Sequence, residues 1–332
     1  MAAIFIGPKY MAQVFKLSDI SKFRSELMGW AIVWIMMLHF TFNQIKPLGF
    51  IAQYGFAGVD IFMMVSGLGL YFSLEKNNDI GYYFKRRFLR IFPTYYMIGG
   101  GASIILFHDT FFTYLFRYST IGFWINGPSW EWYVPSIVAL YIIAPVLKKM
   151  LDNGYITLIV IISFFIVAIS YCIVANEIVG AKDPHFFLLY RIPAFFLGMI
   201  CAFWIKNKTS MKFFCLLLVI GIPCFVLLFP RHHIIYNYKY FSLLFLLPIF
   251  TIFFIILSKY IKLLNPILTI IGKASLEIYL VQAIFFNAII SGQLEISSTW
   301  HDVITLALII ASSFIGIMVH MIIDKSGILR MI

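Results

Sequence analysis

Ten stretches of about twenty predominantly apolar residues recur along this chain of 332 residues. They fall at 27–44, 52–72, 88–107, 132–148, 155–176, 186–205, 211–229, 240–258, 266–291 and 303–323. Each approaches the ~20 residues a helix needs to cross a ~30 Å hydrocarbon core. A backbone in lipid must satisfy its N–H and C=O groups internally, so runs of this length are expected to be helices. The pattern predicts an all-α, polytopic integral membrane protein of about ten transmembrane helices. Composition removes the soluble alternatives. Hydrophobic residues make up 62% of the chain and charged residues 12%, against about 45–50% and roughly 25% in a soluble domain. No compact soluble shape of this size hides so much apolar surface.

The net charge of +11 would suit nucleic acid, but in a membrane chain excess Lys and Arg first reports topology. With the N-terminus inside, 19 of the 25 Lys and Arg fall in cytoplasmic segments. Only Lys46, Arg117, Lys182, Arg191, Arg231 and Lys239 fall outside. The bias places both termini in the cytoplasm. The expected organisation is a cytoplasmic or interfacial segment at 1–26, one membrane domain at 27–323 and a cytoplasmic tail at 324–332. No cleaved signal is expected, because the first 22 residues lack an apolar core with a cleavage site. Cys172, Cys201, Cys215 and Cys224 lie in or beside apolar runs without metal-ligand spacing. They read as buried small hydrophobes, and no metal is expected.

Ionisable groups at span depth carry the information, because burying them costs several kcal/mol unless they are paired or wet. His39, in LHFTFN, lies about twelve residues along the first span, roughly 18 Å from the inner face. It suits a base or proton relay, against the alternative of a hydrogen-bonded structural histidine. Asp60, in GFAGVDIF, lies near the outer end of the second span. There a carboxylate could orient the imidazole, or else cap a helix. Arg86, Arg87 and Arg90, in YYFKRRFLRIFP, form a cationic patch suited to phosphate. The alternative is a positive-inside anchor on anionic lipid headgroups. Glu131, Trp132 and Tyr133, in SWEWYVP, are substrate-binding candidates, or an interfacial belt with a solvated helix-start acid. Lys273 and Glu277 are four apart and are expected to neutralise each other. His320 has no evident partner. P-loop, GxSxG, HExxH and CxxC patterns are absent.

Five of these segments carry a family likeness. ELMGWAIVWIMMLHFTF, GVDIFMMVSGLGLY, FKRRFLRIFPTYY, WEWYVPSIVALYIIAP and, more weakly, ASLEIYLVQ resemble the acyltransferase-3 family of bacterial membrane acyltransferases. The resemblance implies transfer of an acyl group, most often acetyl, from cytoplasmic acyl-CoA to a hydroxyl of a surface or lipid-linked polysaccharide. It implies residence in the bacterial inner membrane. It marks His39 as the catalytic residue and Arg87 and Arg90 as facing the CoA phosphates. Two positions depart from the family pattern. Met28 stands where many members carry Arg, and Gln282 where many carry His. Arg24 or Lys22 is the candidate replacement for the first. The expected partners are acetyl-CoA as donor, a glycan acceptor and membrane lipid, with no nucleic acid. The competing readings are a carrier or flippase for a lipid-linked glycan or small metabolite, and an acyl-group channel serving a separate transferase.

Overall fold

The computed structural model describes residues 15–104, 108–126, 131–175, 188–208 and 239–327. The expected span at 211–229, with Trp130, His185, His232, His233, Cys215 and Cys224, lies outside the described residues. All regular structure among the described residues is helical. Besides short helical turns at Asp19–Lys22 and Lys262–Leu264, the helices are α1 (Arg24–Phe40), α2 (Lys46–Ala52), α3 (Ala57–Lys76), α4 (Ile80–Ala102), α5 (Phe111–Tyr118) and α6 (Ile121–Asn126). They continue with α7 (Tyr133–Asp152), α8 (Ile156–Ala175), α9 (Ile192–Lys206), α10 (Lys239–Tyr260), α11 (Asn265–Lys273), α12 (Ser275–Ile290) and α13 (His301–Lys325).

Three of these, α3, α7 and α13, are long and apolar enough to cross a membrane. A fourth span is formed if Leu246–Tyr260 and Lys262–Lys273, bent by 93° at Ile261, count as one. α8, α9 and α12 are apolar over shorter stretches. α4 has the length but carries Lys85, Arg86, Arg87 and Arg90 in its first half. It starts at Ile80, where the Asp79 carboxylate accepts from the Tyr82 N–H at 3.1 Å, eight residues before the apolar run begins.

The ninth apolar run departs from expectation. Instead of one helix over 266–291, it forms α11 and α12, separated at Ala274. Pro266 in the first turn suits a fresh helix start. Gly272, near the end of α11, lies so close to the Ser25 backbone that no side chain fits there. α11 thus lies against the start of α1 rather than continuing α12.

Close approach of small residues assembles the bundle, as expected where lipid removes the hydrophobic drive between helices. Gly67 of α3 meets the Phe195 carbonyl of α9, and Gly198 of α9 meets the Met64 carbonyl of α3. Gly29 and Gly272 make the same reciprocal contact between α1 and α11. Gly58 lies on Ala31 while Gly69 lies on Arg24, so α1 and α3 run antiparallel. α3 is the central element: 78% of its most apolar window is buried, against 22% for α13. α13 instead exposes Leu306, Ile310, Phe314, Met318 and Ile322, one residue per turn on one face. A stripe of this kind suits contact with lipid. Of the two described cysteines, Cys201 is buried and Cys172 is exposed on α8, which corrects the expectation that both are interior.

Candidate active site

A cavity of about 300 Å³ lies between α1, α3, α4, α7 and α12. α1, α3 and α7 line it with residues three, four or seven apart, a single helical face on each: Arg24, Met28 and Ile35; Val59, Phe62 and Ser66; Tyr133, Ile137 and Tyr141. α12 adds Ser275, Leu276 and Tyr279, and α4 adds Arg86, Arg87, Arg90 and Ile91.

Four guanidinium groups line this cavity. Arg86 stands over the Tyr82 ring at 5.6 Å. Arg87 lies 5.7 Å from the Tyr83 ring and 5.9 Å from the Tyr141 ring, and donates to Ser73 Oγ at 2.9 Å. The Nε atoms of Arg86 and Arg87 are buried with no hydrogen-bond partner among the described residues. Buried donors left open in this way are stabilised when an anion accepts from them. Arg24, the first residue of α1, completes the set. It lies over Gly69, where a Cβ would stand 2.9 Å from its Nη2. The structure therefore brings Arg24 to the cavity wall one turn from Met28, the position where the resembling family carries its arginine.

Arg90 is committed to a buried acid. It donates to Glu277 Oε1 at 2.7 Å and to the Lys273 carbonyl at 3.1 Å. Thr94 Oγ1 donates to the same Glu277 oxygen at 3.1 Å, and His320 Nδ1 lies 3.3 Å from it. The expected Lys273–Glu277 pair is not what Glu277 makes. The break at Ala274 puts the two residues on different helices, which removes the i,i+4 relationship on which that pair depended. His320, without evident partner in the sequence, faces Glu277.

One turn beyond Ile35 on α1 stands His39, and one turn beyond Tyr279 on α12 stands Gln282. The two meet: His39 Nδ1 and Gln282 Oε1 are 2.8 Å apart. An amide oxygen only accepts, so Nδ1 carries the hydrogen and Nε2 keeps its lone pair. Phe286, one turn further along α12, stacks on the imidazole at 4.4 Å. His39 thus lies about 22 Å along α1 from Arg24.

Asp60 is not the group that holds His39. It is buried in the first turn of α3, where Arg191 Nε donates to its Oδ1 at 3.3 Å. Arg191, counted above among outer-loop cations, is itself 2% exposed. It also donates to the Phe56 carbonyl at 3.4 Å and lies over the Trp132 ring at 5.1 Å. The signal that could have found it was its place: a lone cation against the topological bias, between apolar residues in LLYRIPAFF. Glu131, Trp132 and Tyr133 face the interior rather than an interfacial belt. Glu131 is 1% exposed and accepts from the Tyr95 hydroxyl at 3.3 Å. Tyr133 lies 5.2 Å from the Tyr279 ring in the cavity wall.

The arrangement sets a cationic cavity, suited to a polyanionic ligand, one helical turn from an imidazole paired with an amide. No solved structure matches the chain. A protein of Acidianus two-tailed virus, provisionally named an acetyltransferase, is 30% identical over 207 residues, 56% of this chain. The chain spans 59% of that relative's length. The family described as an acyltransferase domain matches residues 27–322. That match runs from the first turn of α1 to the last turns of α13 and takes in His39, the three arginines of α4 and Gln282, so the chain belongs to the acyltransferase-3 family.

Proposed function

We propose that this protein is a membrane-embedded O-acyltransferase that moves an acyl group, acetyl in the first instance, from acyl-CoA to a hydroxyl of a surface or lipid-linked polysaccharide. The observation that carries this reading is the alignment of the cavity with the His39–Gln282 pair: four arginines line the cavity, and His39 and Gln282 stand one turn beyond its lining residues Ile35 and Tyr279 on the same two helices. The CoA phosphates bind at Arg24, Arg86, Arg87 and Arg90, and the pantetheine arm runs between Tyr133, Tyr141 and Tyr279 toward His39. Glu277 holds Arg90 at the rim and sets which edge of its fork faces the ligand. Ten spans with both termini in the cytoplasm of a bacterial inner-membrane protein put the arginine end on the acyl-CoA side.

In the reaction, the acceptor hydroxyl oxygen attacks the thioester carbonyl carbon while His39 Nε2 takes its proton. The carbon–sulfur bond breaks and the leaving CoA thiolate recovers a proton from the imidazolium. Gln282 holds the Nδ1–H throughout, so the ring presents the same nitrogen at each turnover. Asp60 and Arg191 neutralise each other beside Trp132 and shape the acceptor side together with Glu131.

General-base catalysis contributes on the order of 10²–10⁴-fold. Mass spectrometry of glycans from cells with the gene intact, deleted, or restored as His39→Ala tests the reading. An acyl-sized mass lost on deletion and not restored by His39→Ala is the expected result. Full restoration by His39→Ala removes His39 from the mechanism, and glycan masses identical in all three strains remove the glycan acceptor.

A further inference from the structure

α1 ends immediately after His39, and it ends under strain. Thr41 follows Phe40 at φ 53°, ψ 158°, a region that a β-branched residue enters only when its surroundings impose it. Those surroundings are the first turn of α13 and the chain leading into it. The Asp302 carboxylate, 6% exposed, accepts from three consecutive backbone N–H groups: Asn43 at 2.8 Å, Gln44 at 3.0 Å and Ile45 at 2.6 Å. Thr305, fully buried, donates from Oγ1 to the Phe40 carbonyl at 3.0 Å. That carbonyl belongs to the last turn of α1, where helix geometry leaves it without an intrahelical partner. The Gln44 side chain donates to the Ser298 and Thr299 carbonyls at 3.1 and 3.0 Å, and Asn43 Nδ2 lies 3.1 Å from His301 Nε2.

Residues 298–305 therefore grip residues 40–45 through both backbone and side chains. The same helix that grips the end of α1 also packs on α12, where Gly316 lies against Ile278 too closely to admit a side chain. α12 carries Gln282, the group that meets His39. One element is thus registered against both halves of the His39–Gln282 pair, and the strained turn next to His39 is held by the first turn of α13 and the residues that lead into it.

We propose that Asp302, seconded by Thr305, is a positioning residue for His39: it anchors the end of α1 to α13 and so fixes the imidazole in its hydrogen bond to Gln282. The proposal rests on the reading that His39 takes the acceptor's proton. Without the anchor, Thr41 relaxes, the last turn of α1 frays, and His39 leaves the Gln282 amide. Misplacement of a reacting group by about 1 Å costs on the order of 10²-fold in rate. The loss should fall on kcat, while the KM for acyl-CoA, set at the arginine end about 22 Å away along α1, stays unchanged.

The experiment uses the full chain in lipid nanodiscs as wild type, Asp302→Ala, Asp302→Asn and Thr305→Val. Two quantities are measured: kcat and KM for acyl transfer, and the rate at which diethyl pyrocarbonate modifies His39, read by peptide mass spectrometry. His320, on the inner part of α13, serves as the reference histidine in the same molecule. The expected result is a several-fold faster modification of His39 in Asp302→Ala with His320 unchanged, and a fall in kcat at constant KM. Asp302→Asn, which keeps one acceptor oxygen, is expected to lie between the two. Should Asp302→Ala not fold, Thr305→Val removes a single hydrogen bond at constant shape and is expected to move both quantities in the same direction. Unchanged His39 modification and kcat in the variants overturn the proposal, as does a parallel rise at His39 and His320, which signals general loosening. If the wild-type protein transfers no acyl group, the functional reading falls, and the modification rates alone then decide whether Asp302 anchors His39.

Discussion

At the scale of single residues, the His39 imidazole gives its Nδ1–H to a neutral amide, and replacing that amide by a hydrocarbon leaves a buried N–H without an acceptor. Such a loss costs about 1–3 kcal/mol, roughly 10–100-fold in rate. Gln282→Leu should therefore lower kcat by that factor while the membrane content of the protein stays normal. Gln282→His, which restores a ring nitrogen as acceptor, should recover most of it; steady-state kinetics on the two variants side by side checks this. The pairing around Glu277 makes a second contrast. Glu277→Ala strands the Arg90 guanidinium, and breaking one side of a buried pair costs about 3 kcal/mol or more. Lys273→Ala removes a side chain that Glu277 does not use and should leave the thermal midpoint in detergent within experimental error. Equal effects from both substitutions would mean that the i,i+4 pair forms after all. His39 stood out in the sequence because an ionisable group deep in an apolar run is costly to bury, whereas the arginines stood out through the family resemblance, since their pattern alone fits a positive-inside anchor as well. Their partners did not stand out, since Gln282 is 243 positions from His39 and Glu277 is 187 from Arg90.

At the scale of elements, the reciprocal glycines of α3 and α9 place two backbones in direct contact. A branched side chain there must separate the helices, and overpacking of this kind costs about 1–3 kcal/mol. Gly198→Val should lower the unfolding temperature in detergent, and Gly67→Val should do the same. Combining the two should cost less than the sum, because the first substitution already opens the interface. An additive double variant would place the two glycines in separate contacts. The start of α4 follows from local chemistry that the sequence displays: Asp79 caps the helix, and the arginines follow on one face. The break at Ala274 has no comparable local mark. Apolar residues resume directly after Lys273 and Ala274, and the tertiary feature that accompanies the break is the close seat of Gly272 on Ser25.

For the molecule as a whole, the exposed apolar stripe on α13 adds an apolar outer surface to an apolar core that also holds ionisable groups such as Asp60, Arg191 and Glu277. Cysteine-accessibility mapping with a membrane-impermeant thiol reagent tests the proposed topology. Introduced cysteines at Asn77, Asn153 and Asn207 should label only from the cytoplasmic side, and those at Gln44 and Ser297 only from outside. Labelling of Asn77 and Ser297 from one side would break the ten-span count. The sequence by itself determined that this chain is helical and lives in lipid, and it picked out the histidine, because hydropathy and the cost of burying charge are properties of single segments; the arginines it marked through the family resemblance. Only the tertiary structure decided that Asp60 belongs to Arg191 and Glu277 to Arg90, that Arg24 joins the cationic cavity, and that α13 anchors the end of α1. These pairings join residues far apart in the chain. They depend on where helices cross and how deep each side chain sits, which no local pattern encodes.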